Sequence, residues 1–182
     1  MLMKILLGVA VLAVVMVVVV ATRPGPFRIE RSIRIAAPPS AAFPLVNDFH
    51  RWGAWSPWEG MDPNMKRFYE GAESGPGAVY RWSGDSKVGE GKMTIEQSRP
   101  EKIVIKLEFF RPFKATNTAT FTFTPDAGGT NVVWAMDGHN NFMAKAFHMV
   151  MDMDKLVGKD FEKGLAAMKA EAGKTAVASA RN

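Results

Sequence analysis

The chain has no cysteine, which excludes disulfides, thiolate metal sites and a cysteine nucleophile and leaves the redox compartment undetermined. It has three histidines, His50, His139 and His148. They are too few and too scattered for a zinc-type cluster or a His-x-x-x-His pair, and no Walker sequence is present. Blocks of like charge are missing as well. The formal charge is +5 and the pI near 9.6, but the 23 basic and 18 acidic residues are interspersed along the chain, so no basic stripe suited to phosphates forms. These absences argue against nucleic acid, metal and a cofactor as partners.

What the chain does have is apolar residues, 47% of the total. A compact domain of about 150 residues buries roughly 68–70% of its unfolded surface, so one core is the economical expectation. The first segment is a different material. Residues 5–21, "ILLGVAVLAVVMVVVVA", carry no charge and are flanked by Lys4 and by Arg23 with Pro24. As a helix rising about 1.5 Å per residue this run spans roughly 25 Å, and Leu2 and Met3 extend it towards the ~30 Å of bilayer hydrocarbon. A single-pass membrane anchor over residues 1–22 is expected. The alternative is a cleaved signal peptide, since Val19-Val20-Ala21 offers small residues, although the run exceeds the usual apolar core of about 7–15 residues. Arg23, Arg28, Arg31 and Arg34 outnumber Lys4, which favours a cytosolic domain by the positive-inside rule. Three of those arginines belong to an expected strand, so the side stays open.

A linker, "RPGP" (23–26), leads into "FRIERSIRIA", whose alternating Ile29, Arg31 and Ile33 predict a strand. In "APPSAAFPLVNDFHRW" the period changes to three, with Phe43, Val46 and Phe49 on one face, and one or two short helices are expected with Pro44 in the first turn. Six further strands follow: "KRFYEG", "GAVYRWSG", "KVGEGKMTIEQ", "EKIVIKLEFF", "KATNTATFTFT" and "TNVVWAMDG". Their short connections suit antiparallel hairpins. Parity puts Ile103, Ile105, Leu107 and Phe109 on one face, together with Ala115, Ala119, Phe121 and Phe123. Val132, Trp134 and Met136 join them, as do Tyr80, Trp82, Met93 and Ile95. Such a one-sided sheet needs a cover. From 141 to about 174, Val150, Met153, Val157, Phe161, Leu165 and Met168 recur at three or four residues and predict a long amphipathic helix, with Gly158 and Gly164 allowing close approach to the sheet. The domain thus runs 27–174, and 175–182, "TAVASARN", reads as a flexible tail.

Strand, two short helices, a six-strand meander and a long final helix is the order of the helix-grip fold. The segments "IERSIRIAAPPSAAFPLVNDFHRWGAWSPW", "GPGAVYRWSG", "GEGKMTIEQSRPEKIVIKLEF" and "GKDFEKGLAAMKA" resemble the SRPBCC superfamily (START, polyketide-cyclase-like and birch-pollen-allergen-like proteins), particularly its bacterial polyketide cyclase/dehydrase-like branch. The resemblance implies an α+β fold in which a curved antiparallel sheet of about seven strands wraps a C-terminal helix around an apolar cavity. It implies no particular reaction, because function resides in the site.

Three tryptophans, Trp52, Trp55 and Trp58, stand three apart in "RWGAWSPWEG", where helices and sheet meet. They either pack the corner or line the cavity mouth, with Trp55 and Trp58 the candidates for ligand contact. Tyr80, Trp82, Met93, Phe109, Phe121 and Trp134 would line the cavity if one exists and form ordinary core if not. Asn117 places an amide on the inward face, where it needs a partner. Glu90, between two glycines that permit a bulge, and His139 are the weak candidates for proton transfer, with Asn117 beside them in an enzyme reading; His50 and His148 form no evident dyad, and each charged candidate also reads as a surface group. Asp152, Asp154 and Lys155 read as the solvated side of the last helix. Three functions follow. The first is noncatalytic, membrane-tethered binding of a lipid- or polyketide-like molecule. The second is a cyclase or dehydratase on the same cavity. The third is a protein-interaction or chaperone-regulator module, which requires an exposed apolar patch, sought first in the tryptophan segment.

Overall fold

A computed structural model describes residues 2–149 and 151–179. Helix α1 (Leu2–Thr22) precedes strand β1 (Pro26–Ile35), helix α2 (Pro39–Asn47) and a 3₁₀ turn (Phe49–Ala54). Six strands follow: β2 (Lys66–Gly71), β3 (Ala78–Ser83), β4 (Glu90–Arg99), β5 (Lys102–Arg111), β6 (Ala115–Asp126) and β7 (Gly129–His139). Helices α3 (Phe142–His148) and α4 (Met153–Ser179) complete the chain. The strands form one antiparallel sheet in the order β1-β7-β6-β5-β4-β3-β2. The α+β helix-grip architecture expected from the sequence is therefore present.

The alternation works as parity requires. Ile103, Ile105, Phe121, Phe123 and Val132 are fully buried on the concave face, while the threonines of β6 point away from it. Phe161, Leu165, Met168 and Ala172 of α4 close over that face as one buried stripe. Two glycines set how closely the helix sits. A Cβ on Gly164 would lie 2.9 Å from Trp134 Cζ3 and 3.0 Å from Pro57 Cδ, and one on Gly158 would collide with the Arg31 guanidinium. Arg31, on the inward parity of β1, bonds Glu162 at 2.9 Å and Asp154 at 3.1 Å, which ties the edge strand to α4.

Three details differ from the sequence expectation. The terminal helix is two helices rather than one. Asn141 caps α3 by accepting from Ala144 N at 2.9 Å, and Asp152 accepts from Lys155 N at 3.1 Å at the start of α4, so a capping residue restarts the helix there. Asp152 is thus a cap as well as a surface charge. Val150 lies outside the described residues. Helix α4 continues to Ser179, past the end expected near 174. Pro44 is inside α2, beyond its first turn, where it removes a single helical N–H from a nine-residue helix.

The register defines two ends of the sheet. Pro26 pairs with His139, Ala115 with Phe109, Glu90 with Arg111 and Lys66 with Ser83. The start of β1, to which α1 is joined, therefore shares one end, the proximal end, with the β3–β4 turn, the β5–β6 turn and α3. Helix α1 is long and apolar enough to cross a membrane, and only Val20 of it is buried. It is not a core helix. Its contact is with α3, where Lys145 Nζ donates to Ala21 O at 3.4 Å.

Candidate functional site

The tryptophan segment divides by role. Helix α2 ends with carbonyls that have no partner within the helix. Trp55 Nε1 donates to Leu45 O at 2.7 Å and Trp52 Nε1 to Val46 O at 3.1 Å, so two indoles close that end while burying their rings in the core. Both are almost wholly buried, so the segment is not an exposed apolar patch. Trp58, half-buried, turns the other way. It meets Trp134 edge-to-face with ring centroids 5.6 Å apart, and Phe161 at 6.2 Å.

Between the concave face and α4 lies a cavity of about 220 Å³. Of the residues named from the sequence, Trp58, Tyr80, Trp82, Met93, Phe109 and Trp134 lie in its wall. Trp55, Asn117 and Phe121 do not. Trp55 is held against α2, and Phe121 is sealed beneath Trp134, the two rings stacked at 4.9 Å. Asn117 is buried with Nδ2 3.7 Å from Met136 Sδ, and its Oδ1 lies where a Cβ on Gly138 would sit. The two proton-transfer candidates are also outside. The bulge at Glu90 and Gly91 exists, but Gly91 is the residue that needs it, because a Cβ there would sit 2.4 Å from Trp82 Cζ2. Glu90 pairs outward with Arg111 at 2.8 Å. His139 is exposed at the proximal end, its ring packed on Gly25.

One polar group of the cavity wall that sequence reasoning missed is Glu59. Its Oε1 accepts from the Tyr80 hydroxyl at 2.5 Å and its Oε2 from Arg67 Nε at 2.6 Å, while Arg67 Nη2 donates to Glu59 O at 2.8 Å. Burial, followed by the bond to Glu59, pushes the Tyr80 phenol far above its ordinary value. The Arg67 guanidinium is held charged by its bond to Glu59. Asp62, also buried, accepts from Asn64 N and from Asp85 N, both at 2.8 Å, and so fastens the loop to the β3–β4 turn. Lys87 and Val88 of that turn reach the cavity, and Val88 O accepts from Trp82 Nε1 at 3.0 Å. A buried tyrosine without a sequence-local partner was the one available hint to Glu59, since parity says nothing about a loop.

Among the described residues one buried side-chain polar atom is unsatisfied. Trp134 Nε1 is fully buried with no hydrogen-bond partner, although its ring lies parallel to Phe161 at 4.0 Å. Buried N–H groups without partners are rare, and this one belongs to a residue of the cavity wall.

A family model described as polyketide cyclase / dehydrase and lipid transport matches residues 26–173. A Thermobifida fusca protein solved by NMR superposes with a TM-score of 0.60 at 21% identity, covering 81% of this chain and 93% of its own. Ara h 8.0201 superposes at 0.58 with 13% identity, covering 82% and 99%. The di-domain ARO/CYC StfQ from the steffimycin biosynthetic pathway gives 0.59 at 14% identity, covering 84% of this chain and 52% of StfQ. These likenesses concern the fold. No curated protein matches the sequence.

Proposed function

We propose that this chain, which belongs to the polyketide cyclase / dehydrase and lipid transport family, is a membrane-tethered binding protein. It holds an apolar or amphipathic small molecule, lipid- or polyketide-like, in the cavity under α4. The observation that carries the reading is the cavity itself. Its wall is built mainly of aromatic and methionine side chains, with Ser56, Glu59 and Lys87 as its few polar members. Its volume lies below the ~300–1,000 Å³ of drug-sized clefts, which suits one acyl chain or a small ring system. Helix α1 acts as the anchor over residues 1–22, with 23–26 as linker, and proximity to a bilayer suits such a cargo.

Binding is favoured over cyclase or dehydratase chemistry by the state of the polar groups. Both Glu59 carboxylate oxygens are occupied, and the Tyr80 hydroxyl stays protonated far above neutral pH. The two side chains are bonded to each other and Glu59 also to Arg67, so they are engaged within the wall rather than presented to a substrate.

The test uses residues 23–182. No residue of α1 belongs to the core formed by the sheet, α2 and α4, and a neighbour covered over 99% of its own length has this fold without a further domain. Titration with cis-parinaric acid should give saturable fluorescence enhancement, and native mass spectrometry a one-to-one complex. Ala119→Phe, which places a ring in the cavity wall, should abolish uptake with an unchanged circular dichroism spectrum. Absence of saturable binding by the folded wild-type fragment overturns the reading.

A further inference from the structure

Large hydrophobic side chains are exposed unevenly over the domain. The distal turns at 72–77, 100–101 and 127–128 expose none. At the proximal end, Phe113 of the β5–β6 turn is 72% exposed, Met143 and Phe147 of α3 are 66% and 50% exposed, and Met149 and Met151 follow them. All five remain exposed. They lie at the end of the sheet from which α1 leaves the domain, and α3 touches α1 directly. Lys114 adjoins Phe113, Lys145 lies among the α3 residues, and Lys87 projects from the neighbouring turn, none with a carboxylate partner among the described residues.

Apolar side chains interleaved with lysines form the composition of an interfacial surface. Phenylalanine and methionine enter the boundary between headgroups and chains, and lysines meet anionic headgroups. Exposed apolar side chains gathered at one end of a domain call for a covering surface. Helix α1 supplies the geometry. Its end lies at the linker, so a bilayer crossed by α1 begins within a few residues of β1 and of α3. The cavity reaches the same end, since Lys87, Val88 and Phe109 belong both to its wall and to the proximal turns or strand ends.

We infer that the β5–β6 turn and α3 dock on the lipid surface that α1 crosses, so that the cavity exchanges its cargo with the bilayer rather than through water. The inference rests on the proposed anchor and adds to it a second membrane contact. A domain swinging freely on a short linker would leave these side chains in water. A docked domain buries them.

The natural absence of cysteine permits a clean test on the full chain. Single substitutions Val11→Cys, Phe113→Cys, Met143→Cys and Ala127→Cys are labelled with a nitroxide and reconstituted in phosphatidylcholine vesicles containing phosphatidylglycerol. Phe113, Met143 and Ala127 are surface positions, so labelling disturbs no core packing. Power saturation with oxygen and with a water-soluble nickel chelate reads depth. Labels at 113 and 143 should shift towards the oxygen preference of the label at 11, and the label at 127 should keep the nickel preference of water. Nickel preference at 113 and 143 with oxygen preference at 11 overturns the docking and leaves the anchor standing. Water-like behaviour at 11 removes the anchor and this inference together. Neither result bears on cavity binding, which the parinaric acid titration decides separately.

Discussion

Replacing Glu59 by alanine should destabilise the domain by about 2–4 kcal/mol, because it strips partners from two groups at once. The carboxylate is one-tenth exposed and accepts from Tyr80 at 2.5 Å and from Arg67 at 2.6 Å. Hydrogen bonds to a charged group contribute about 1.5–3 kcal/mol each, so the gross loss is roughly 3–6 kcal/mol. Arg67 is nearly one-third exposed and keeps the carbonyls of Met65 and residue 59, so water replaces most of its share, leaving about 1 kcal/mol. The Tyr80 hydroxyl is left in the cavity wall at a cost of about 1–3 kcal/mol. Tyr80→Phe alone should cost about 1–2 kcal/mol, yet regain about 1–3 kcal/mol in the Glu59→Ala background, where it removes the orphaned hydroxyl. Urea unfolding of residues 23–182, followed by tryptophan fluorescence, measures all four corners of the cycle. With a slope near 2 kcal/mol/M, the alanine variant loses about 1–2 M in midpoint. Additivity of the two substitutions within about 0.5 kcal/mol would show that the carboxylate does not hold Tyr80 and would refute the reasoning.

Both tyrosines of the chain, Tyr69 and Tyr80, are shifted upward by burial and by Glu59. Absorbance at 295 nm should therefore show the Tyr80 phenol absent from the titration at about pH 10 in the folded domain. Because the folded value lies above the unfolded one, the stability contributed by Tyr80 is complete below about pH 10 and declines as pH rises beyond it, so tyrosinate from Tyr80 should appear together with unfolding. Tryptophan-to-phenylalanine changes at 55 and 134 should differ in kind: Trp55 loses a bonded N–H and Trp134 an unbonded one, making Trp134→Phe the cheaper by about 1–2 kcal/mol in ligand-free protein. Equal midpoint losses in urea would mean that the Trp134 N–H is satisfied. Gly164→Ala gains about 1 kcal/mol of helix propensity but drives a methyl against the Trp134 ring and Pro57. Overpacking of about 1–3 kcal/mol wins, and thermal unfolding should show a lowered midpoint.

Much of this protein was legible in order and parity. An apolar run bounded by charges gives α1, six stretches of period two give the meander, and a three-to-four repeat gives α4, because each pattern is set by the backbone geometry of a single element. The inward positions of Trp82, Met93, Phe109 and Trp134 follow from the same rule. Parity ends where strands end, and there only the assembled structure decides. Glu59 faces the cavity because a loop brings it beneath Tyr80, a residue twenty-one positions later. Glu90 faces outward because the bulge makes room for Trp82 over Gly91, and Trp55 serves helix α2 because the Leu45 carbonyl lacks a helical partner. The gathering of Phe113 with α3 beside the anchor likewise depends on strand register, which joins residues far apart in sequence. Local patterns determine which elements form and which side of each is oily. Long-range pairing determines which polar groups meet.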